Sequence, residues 1–202
     1  KPIILFAPTW GGKYSNTWGI KNAKYLDGYP NLIISPHPAD YRLAKKFDAV
    51  VPNKPGETTK FIKLADLIIS DVSSIIGEAS ILGKPVIQIE LPTYPGCFPN
   101  PDKRKTGTWL NPEKLKFFID ASDPINRPFK CAFLDKDWIM GHTCKPADLE
   151  KTINLALSDI KKYKSEQNYW NEQNCYKADG KTNKRLAKMI VHFIETNQLK
   201  QL

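Results

Sequence analysis

The stretch from residue 65 to residue 87 constrains the fold more than any other part of the chain. It begins with an apolar run at Leu67–Ile69, continues through a helical stretch, and ends in a β-branched run that starts at Val86, after a Gly-Lys-Pro turn. Two short runs joined by one helix indicate a strand–helix–strand unit, in which the strands are parallel. Parallel strands are buried on both faces, so the rest of the chain has to provide helices on both sides of a sheet.

The same alternation of short apolar runs and helical stretches extends back to the first residues of the chain. The predicted strands are residues 3–7, 31–35, 48–52, 67–70 and 85–90, and the predicted helices are 39–47, 57–65 and 73–82. Connections this short are typical of α/β proteins. We therefore predict a Rossmann-like parallel sheet with helices on both faces.

Residues 92–146 break this pattern. They contain half of the 16 prolines of the chain and the basic cluster Lys103-Arg104-Lys105. Because of these prolines we predict an irregular insertion here, with a short helix near 112–119. Long loops in compact domains frequently have a function, so we expect this segment to have one. A basic arm of this kind is suited to an anionic acceptor or to the headgroups of a membrane.

Helical spacing of apolar residues returns at 147–159 and 184–194. We expect one domain over residues 1–202, made of a core (1–91), the irregular insertion (92–146) and C-terminal helices (147–197). The chain starts at Lys1 without an initiator methionine, so it is expected to be a fragment of a longer protein.

The composition of the chain and the motifs that it lacks indicate which partners and cofactors to expect. The chain has 30 basic and 21 acidic residues, a net charge of +9, which suits a negatively charged partner. No segment interleaves arginine with aromatic residues, so no nucleic acid is expected as a partner. The four cysteines form no CxxC pair and there is no HExxH motif, so no metal site is expected. The sequence also lacks GxGxxG, P-loop and GxSxG motifs, and we expect no cofactor.

Two candidate site segments follow the first two predicted strands, at the sheet edge where open α/β proteins bind ligands. In residues 7–13 the glycines allow close backbone approach, while Thr9 and Lys13 offer a hydroxyl and a cation. In residues 35–38, prolines flank His37 and fix its backbone. These residues are candidates for binding a ligand with phosphate groups.

The third candidate segment lies where the helix over 73–82 begins. Asp71, Ser73 and Ser74 place oxygen groups beside the unpaired N–H groups of the first helical turn, an arrangement that favours anions. Glu78 shares a helix face with Ser74 and could accept hydrogen bonds from sugar hydroxyls. We expect this turn to hold the phosphate of a ligand and Glu78 to lie at the rim of the site.

Several motifs taken together resemble one enzyme family. They are residues 4–10, His37-Pro38, residues 65–74, Glu78-Ala79, residues 82–85 and, near the end, Asp179-Gly180-Lys181-Thr182. This set resembles the C-terminal nucleotide-binding half of the CDP-glycerol:glycerophosphate glycerophosphotransferases, the teichoic-acid and capsule polymerases of GT-B architecture. The chain differs from that family at Val72, where an aromatic residue is usual, and at Gly11-Gly12, where an arginine is frequent.

The resemblance implies a role for the chain and for several residues. His37 would be the catalytic histidine that contacts the phosphates of the leaving nucleotide, and Ser73 and Ser74 would bind phosphate. The donor would be CDP-glycerol or a similar nucleotide diphosphate carrying another polyol phosphate or a sugar, and the acceptor an anionic cell-surface polymer. An N-terminal GT-B domain, absent from this chain, would supply the catalytic base, so the fragment is expected to bind donor without efficient turnover. The location would be cytoplasmic and peripheral, on the inner face of the cell membrane.

Two other interpretations stay open at this point. A UDP-sugar 2-epimerase-like enzyme also uses a serine-rich turn, a glutamate and a Leu-Gly-Lys-Pro segment, here residues 82–85. A non-catalytic module that binds sugar nucleotides or polyanions, a protein of a different class, also fits the sequence.

Overall fold

Five parallel strands form one sheet in the computed structural model of the chain, which describes residues 1–9, 19–53, 56–71, 73–89, 140–175 and 177–198. The strands are β1 (Ile4–Phe6), β2 (Leu32–Ile34), β3 (Leu67–Ser70), β4 (Val86–Ile89) and β5 (His142–Cys144). Their spatial order is β2-β1-β3-β4-β5, and every pairing is parallel. The predicted α/β class with a parallel sheet is confirmed.

The strand predicted over residues 48–52 is reduced to a single bridge between Val50 and Ile33. The N–H of Val50 donates to the carbonyl of Leu32 over 2.9 Å, and the N–H of Ile34 donates to the carbonyl of Val50 over 2.9 Å. This bridge lies at the outer edge of β2. Val50 is exposed there, so little apolar surface is buried that would stabilise a longer strand. Counting it as a strand gives the order of a doubly wound Rossmann sheet.

Helices surround the sheet. The α-helices are α1 (Tyr41–Ala44), α2 (Thr58–Leu64), α3 (Ile75–Ile81), α4 (Leu149–Ser158), α5 (Lys164–Asn174) and α6 (Thr182–Thr196), and 3-10 helices occupy Gly19–Leu26, Pro38–Asp40 and Pro146–Asp148. The helix predicted over 39–47 is a 3-10 turn followed by the short α1. The short helix predicted near 112–119 lies outside the described residues.

The sequence interpretation missed one element and gave no bounds for another. β5 falls in the last residues of the segment predicted to be irregular, because His142-Thr143-Cys144 contains no apolar run. α5 lies within residues 147–197, where C-terminal helices were expected, but its bounds were not predicted because its sequence is mostly polar. Both elements are held by pairing with neighbours: β5 continues the ladder of β4, and α5 packs against α3.

The core is divided by the sheet into two apolar clusters. One cluster holds alternate strand residues such as Ile4 and Phe6, covered by Gly19–Leu26, α1 and α4. The other holds Leu5 and Ile68, covered by α2 and α3. The connections from β1 to β2 and from β3 to β4 therefore cross opposite faces. The carboxyl ends of β1 and β3 mark the point where the direction of winding reverses.

Polar side chains of α5 fix it against the amino-end side of the sheet. Buried Gln167 donates from Nε2 to the carbonyls of Lys84 and Met140, over 3.0 and 2.8 Å. Ser80 of α3 donates to Oδ1 of Asn171 over 2.7 Å. A Cβ at position 141 would overlap the carbonyl oxygen of Val86, so glycine is required where β5 begins beside β4. These contacts hold the last strand in register.

His142 is a buried ionisable group in the edge strand β5. It is 9% exposed, its ring meets the Tyr163 ring edge-on at 4.9 Å, and its Nε2 has no hydrogen-bond partner within the described residues. Burial lowers the pKa of His142 below the usual 6.5, and the nearby Lys162 lowers the pKa further, while Asp159 opposes both. The imidazole is therefore neutral in the folded chain near pH 7.

We expect the folded chain to lose stability as the pH falls below 6.5. In that range the unfolded chain takes up a proton at residue 142 while the folded chain does not, and this favours unfolding until the pH passes the lowered pKa of folded His142. Urea unfolding of the parent and of His142→Phe, between about pH 7.5 and pH 5, measures the effect. The variant should show a flatter pH dependence, and His192→Gln on α6 should keep the slope of the parent. Parallel curves for the parent and His142→Phe would contradict this account.

Candidate functional site

The carboxyl ends of β2, β1 and β3 lie side by side at one edge of the sheet. Phe6 is in register with Ile34 on one side and with Ile69 on the other, so the segments that follow these residues emerge together. Neighbouring strands are about 4.8 Å apart, which puts the ends of β2 and β3 within roughly 10 Å of each other. The three candidate segments of the sequence thus start from adjacent positions, on a scale that suits a diphosphate.

Two side chains tie the end of β1 to the end of β3. The N–H of Thr9 donates to Oδ1 of Asp71 over 2.8 Å, and Oγ of Ser70 donates to the carbonyl of Ala7 over 2.6 Å. Asp71 is 2% exposed and Ser70 is fully buried. The carboxylate of Asp71 therefore serves to position Thr9 at the point where winding reverses, a role that the sequence did not indicate.

His37 lies at the end of β2 with its backbone fixed by the turn that follows. Nδ1 of His37 accepts from the N–H of Ala39 over 3.2 Å, and the carbonyl of His37 accepts from the N–H of Asp40 over 2.8 Å. An imidazole whose Nδ1 is an acceptor carries its proton on Nε2. Because the residue is exposed, the Nε2–H can donate to a ligand. A donor here suits a phosphate oxygen better than it suits removal of a proton from an acceptor.

A hydroxyl pair beside His37 was missed by the sequence interpretation. Oγ of buried Ser35 and Oγ1 of Thr58, the first residue of α2, are 2.7 Å apart. The pair joins the end of β2 to the start of the helix that leads to β3. Only the position of Ser35 directly after an apolar run could have pointed to it, and nothing in the sequence identified Thr58 as its partner.

Ser73, Ser74 and Glu78 surround the start of α3. Oγ of Ser73 lies 3.4 Å from the N–H of Ile75, and the carbonyl of Ser73 accepts from the N–H of Ile76 over 3.2 Å. Exposed Ser74 precedes the helix and makes no side-chain capping bond within the described residues. Glu78 is exposed one turn further on. The helix begins two residues later than predicted, and the hydroxyl and carboxylate of Ser74 and Glu78 face solvent.

Part of the predicted site lies outside the described residues. Lys13 and the basic cluster Lys103-Arg104-Lys105 are in this category, as is Val72 between Asp71 and Ser73. Among the residues that the structure does describe, no group of three or more histidine, cysteine, aspartate or glutamate side chains could hold a metal ion. No helix in the same part of the chain is long and apolar enough to cross a membrane.

The fold and its switch point define a Rossmann-like α/β domain, and comparison with solved structures gives its neighbours. The structure of the Wall Teichoic Acid Polymerase TagF matches with a TM-score of 0.57 and 16% identity, over 98% of this chain and 45% of that chain. A variant of the same polymerase soaked with CDPG matches with a TM-score of 0.55 and 14% identity, over 97% of this chain and 42% of that chain.

These matches show that the chain shares its fold with the polymerase. They agree with the family resemblance that the sequence motifs indicate. The chain spans less than half the length of the polymerase chains that it matches. The UDP-GlcNAc 2-epimerase from Neisseria meningitidis also aligns, at 17% identity over 97% of this chain and 44% of that chain, but its TM-score of 0.39 is too low to bear on function. No protein-family model matches the sequence, and no curated protein is significantly similar to it.

Replacing Asp71 by alanine should destabilise the chain by roughly 1–3 kcal/mol, because the N–H of Thr9 would lose its acceptor at a partly buried position. Asp71→Asn keeps an acceptor oxygen and should cost less. Ser74→Ala is the matched control, since Ser74 is exposed and makes no capping bond within the described residues. Urea unfolding of the three variants tests the comparison. If Asp71→Ala costs no more than Ser74→Ala, the carboxylate does not hold β1 and β3 together.

Proposed function

We propose that the chain is the donor-binding domain of a transferase that moves glycerol phosphate, or a related polyol phosphate or sugar, from a nucleotide-diphosphate donor to a cell-surface polymer. One observation carries the proposal: the ends of β2, β1 and β3 are adjacent at the switch point of the sheet, with His37, Thr9 and Ser73 on the segments that follow them. Open α/β sheets bind nucleotides at this position. The fold shared with a wall teichoic acid polymerase, solved also after soaking with CDPG, supports the same choice.

In this proposal the diphosphate of the donor lies between His37 and the start of α3. The Nε2–H of His37 and the hydroxyls of Ser73 and Ser74 donate to phosphate oxygens, and Lys13 adds a positive charge. Such donors stabilise the negative charge that develops on the leaving nucleotide. Thr9 is positioned by Asp71 at the same edge and contacts the donor from the side of β1. Glu78 accepts hydrogen bonds from hydroxyls of the donor.

The base that deprotonates the acceptor hydroxyl lies elsewhere in this proposal. With its Nδ1 occupied and its proton on Nε2, His37 is suited to donating, so the base comes from an N-terminal GT-B domain that faces this edge of the sheet. The acceptor is an anionic polymer of the cell wall or capsule. In this proposal the protein is cytoplasmic and peripheral on the inner face of the cell membrane, where its net charge of +9 suits the anionic lipid surface.

The double variant Ser73→Ala/Ser74→Ala and the variant His37→Ala should each weaken the binding of CDP. The expected loss is roughly 1–2 kcal/mol for each variant, since hydrogen bonds to a charged group are lost. Binding of cytidine, which has no phosphate, should change little. Isothermal titration of the chain with CDP, UDP and cytidine measures these affinities.

Two matched controls separate the site from general effects. Ser165→Ala changes an exposed serine near the start of another helix, α5, and His192→Ala changes a histidine on α6. Both should bind CDP as the parent does. If circular dichroism shows that all four variants are folded and they bind CDP as tightly as the parent does, the proposed donor site is wrong. Preference for UDP would favour the epimerase-like enzyme, and binding of polyanions without nucleotide preference would favour a non-catalytic module.

A further inference from the structure

Two hydroxyls join the end of the strand that precedes His37 to the helix α2. Oγ of Ser35 lies 2.7 Å from Oγ1 of Thr58, the first residue of α2. Ser35 is 6% exposed, and its N–H donates to the carbonyl of Phe6 over 2.9 Å, so its backbone continues the pairing of β2 with β1. A buried hydroxyl needs a partner, and Thr58 supplies it. The end of β2 is therefore attached to α2 by a contact between side chains.

The helix α2 is itself firmly held. Ile62 is fully buried, and Nζ of Lys84 donates to the carbonyls of Lys63 and Ala65 over 2.9 and 2.8 Å. These carbonyls lie at the end of α2, where a cation is favourable because the carbonyl groups of the last turn are unpaired within the helix. The helix is thus fixed to the turn between α3 and β4. Thr58 belongs to this fixed helix, whereas His37 is exposed.

The segment between Ser35 and His37 is short and stiff. Pro36 fixes its own φ and restricts the backbone of Ser35 before it. The ψ of His37 is 144°, the extended conformation that Pro38 imposes on the residue before it. The ring of His37 is held by a long hydrogen bond, 3.2 Å from the N–H of Ala39 to Nδ1. The orientation of the ring therefore depends on where the backbone of His37 is held, and that backbone follows Ser35.

We propose that Thr58 is a positioning residue for His37. Its hydroxyl holds Ser35 at the end of β2, and the stiff segment that follows carries this position to His37. The Nε2–H of His37 is then directed at the phosphate of the donor, and Thr58 itself does not contact the donor. A group that is already held in its binding position loses less freedom when the ligand binds, so the ligand is bound more tightly. This inference rests on the donor site proposed above and names a residue that determines how well that site is formed before the donor arrives.

Titration with CDP tests the role of the two hydroxyls. Thr58→Val keeps the shape of the side chain but removes the hydroxyl, and it should weaken CDP binding about three- to tenfold, the range expected when one more side chain has to be ordered on binding. Thr58→Ser keeps the hydroxyl and should bind CDP as the parent does. Ser35→Ala should cause the same loss as Thr58→Val, and the double variant should lose no more than either single variant, because all three lack the same contact.

A double-mutant cycle with His37→Ala shows whether Thr58 acts through His37. In a chain that carries His37→Ala, the addition of Thr58→Val should cause no further loss of CDP affinity. If Thr58 contacted the donor directly, the two losses would add. The matched control is Thr59→Val, the same substitution at the next residue of α2, whose side chain is exposed. It should leave the CDP affinity unchanged with and without His37→Ala.

Nuclear magnetic resonance of the imidazole nitrogens gives a readout that needs no ligand. The chain has three histidines, so the signals of His37 are identified by their absence from the spectrum of His37→Ala. At alkaline pH the parent should show His37 in one tautomer, with the proton on Nε2 and Nδ1 as the acceptor. Thr58→Val should show a mixture of the two tautomers, and Thr58→Ser and Thr59→Val should match the parent. A loss of stability alone would leave the tautomer in the folded chain unchanged.

Four results would overturn the proposal. They are equal CDP binding by the parent and Thr58→Val, CDP binding by Thr58→Ser as weak as that by Thr58→Val, additive losses in the cycle with His37→Ala, and an unchanged tautomer of His37 in Thr58→Val. Failure of the parent to bind CDP would instead contradict the proposed function. In that case the tautomer of His37 in Thr58→Val would still decide whether Thr58 positions His37.

Discussion

The structure depends on burying both faces of the central strand β1. Ile4, Leu5 and Phe6 are at most 1% exposed, and their side chains alternate between the two core clusters. A three-residue strand contributes few hydrogen bonds, so its stability comes mainly from apolar contacts on each side. Helices must then cover both faces, and successive connections have to cross opposite sides of the sheet. The reversal of winding beside β1 follows from that requirement, and with it the place where a ligand can approach the strand ends.

The same constraint explains the chemistry at the sheet edge. Where β1 and β3 end, backbone groups leave the ladder at a buried position and need partners. Ser70 and Asp71 provide them, through the carbonyl of Ala7 and the N–H of Thr9. Buried polar residues at this edge thus maintain the scaffold, while exposed ones, such as His37 and Ser74, are the groups that can meet a ligand. The two kinds of residue are neighbours in sequence, which is why the motif mixes structural and binding functions.

Most of the sheet could be predicted from sequence, and the exceptions share a physical cause. β1 to β4 are apolar runs because they are buried on both faces. β5 is polar in sequence and is held by its ladder with β4, so no local pattern marks it. The mostly polar helix α5 is fixed by Gln167 and Asn171, whose partners lie 27 to 91 positions away in the chain. Residue types at strand ends could be identified as site candidates, but the contact of Asp71 with Thr9, across 62 positions, could not.

The short length of α3 determines how a phosphate can be held at this edge. The helix has seven residues, and its first turn already contains the carboxylate of Glu78. A helix dipole acts mainly through the groups of the first turn, and a nearby carboxylate offsets its attraction for an anion. The hydroxyls of Ser73 and Ser74 and the Nε2–H of His37 must therefore supply most of the binding. Hydrogen bonds from these side chains require defined geometry, and that geometry is provided by the proline-flanked turn at His37 and by the Asp71 contact beside Ser73. Recognition at this edge is thus a consequence of how rigidly the strand ends are joined, more than of the charge of the helix that follows them.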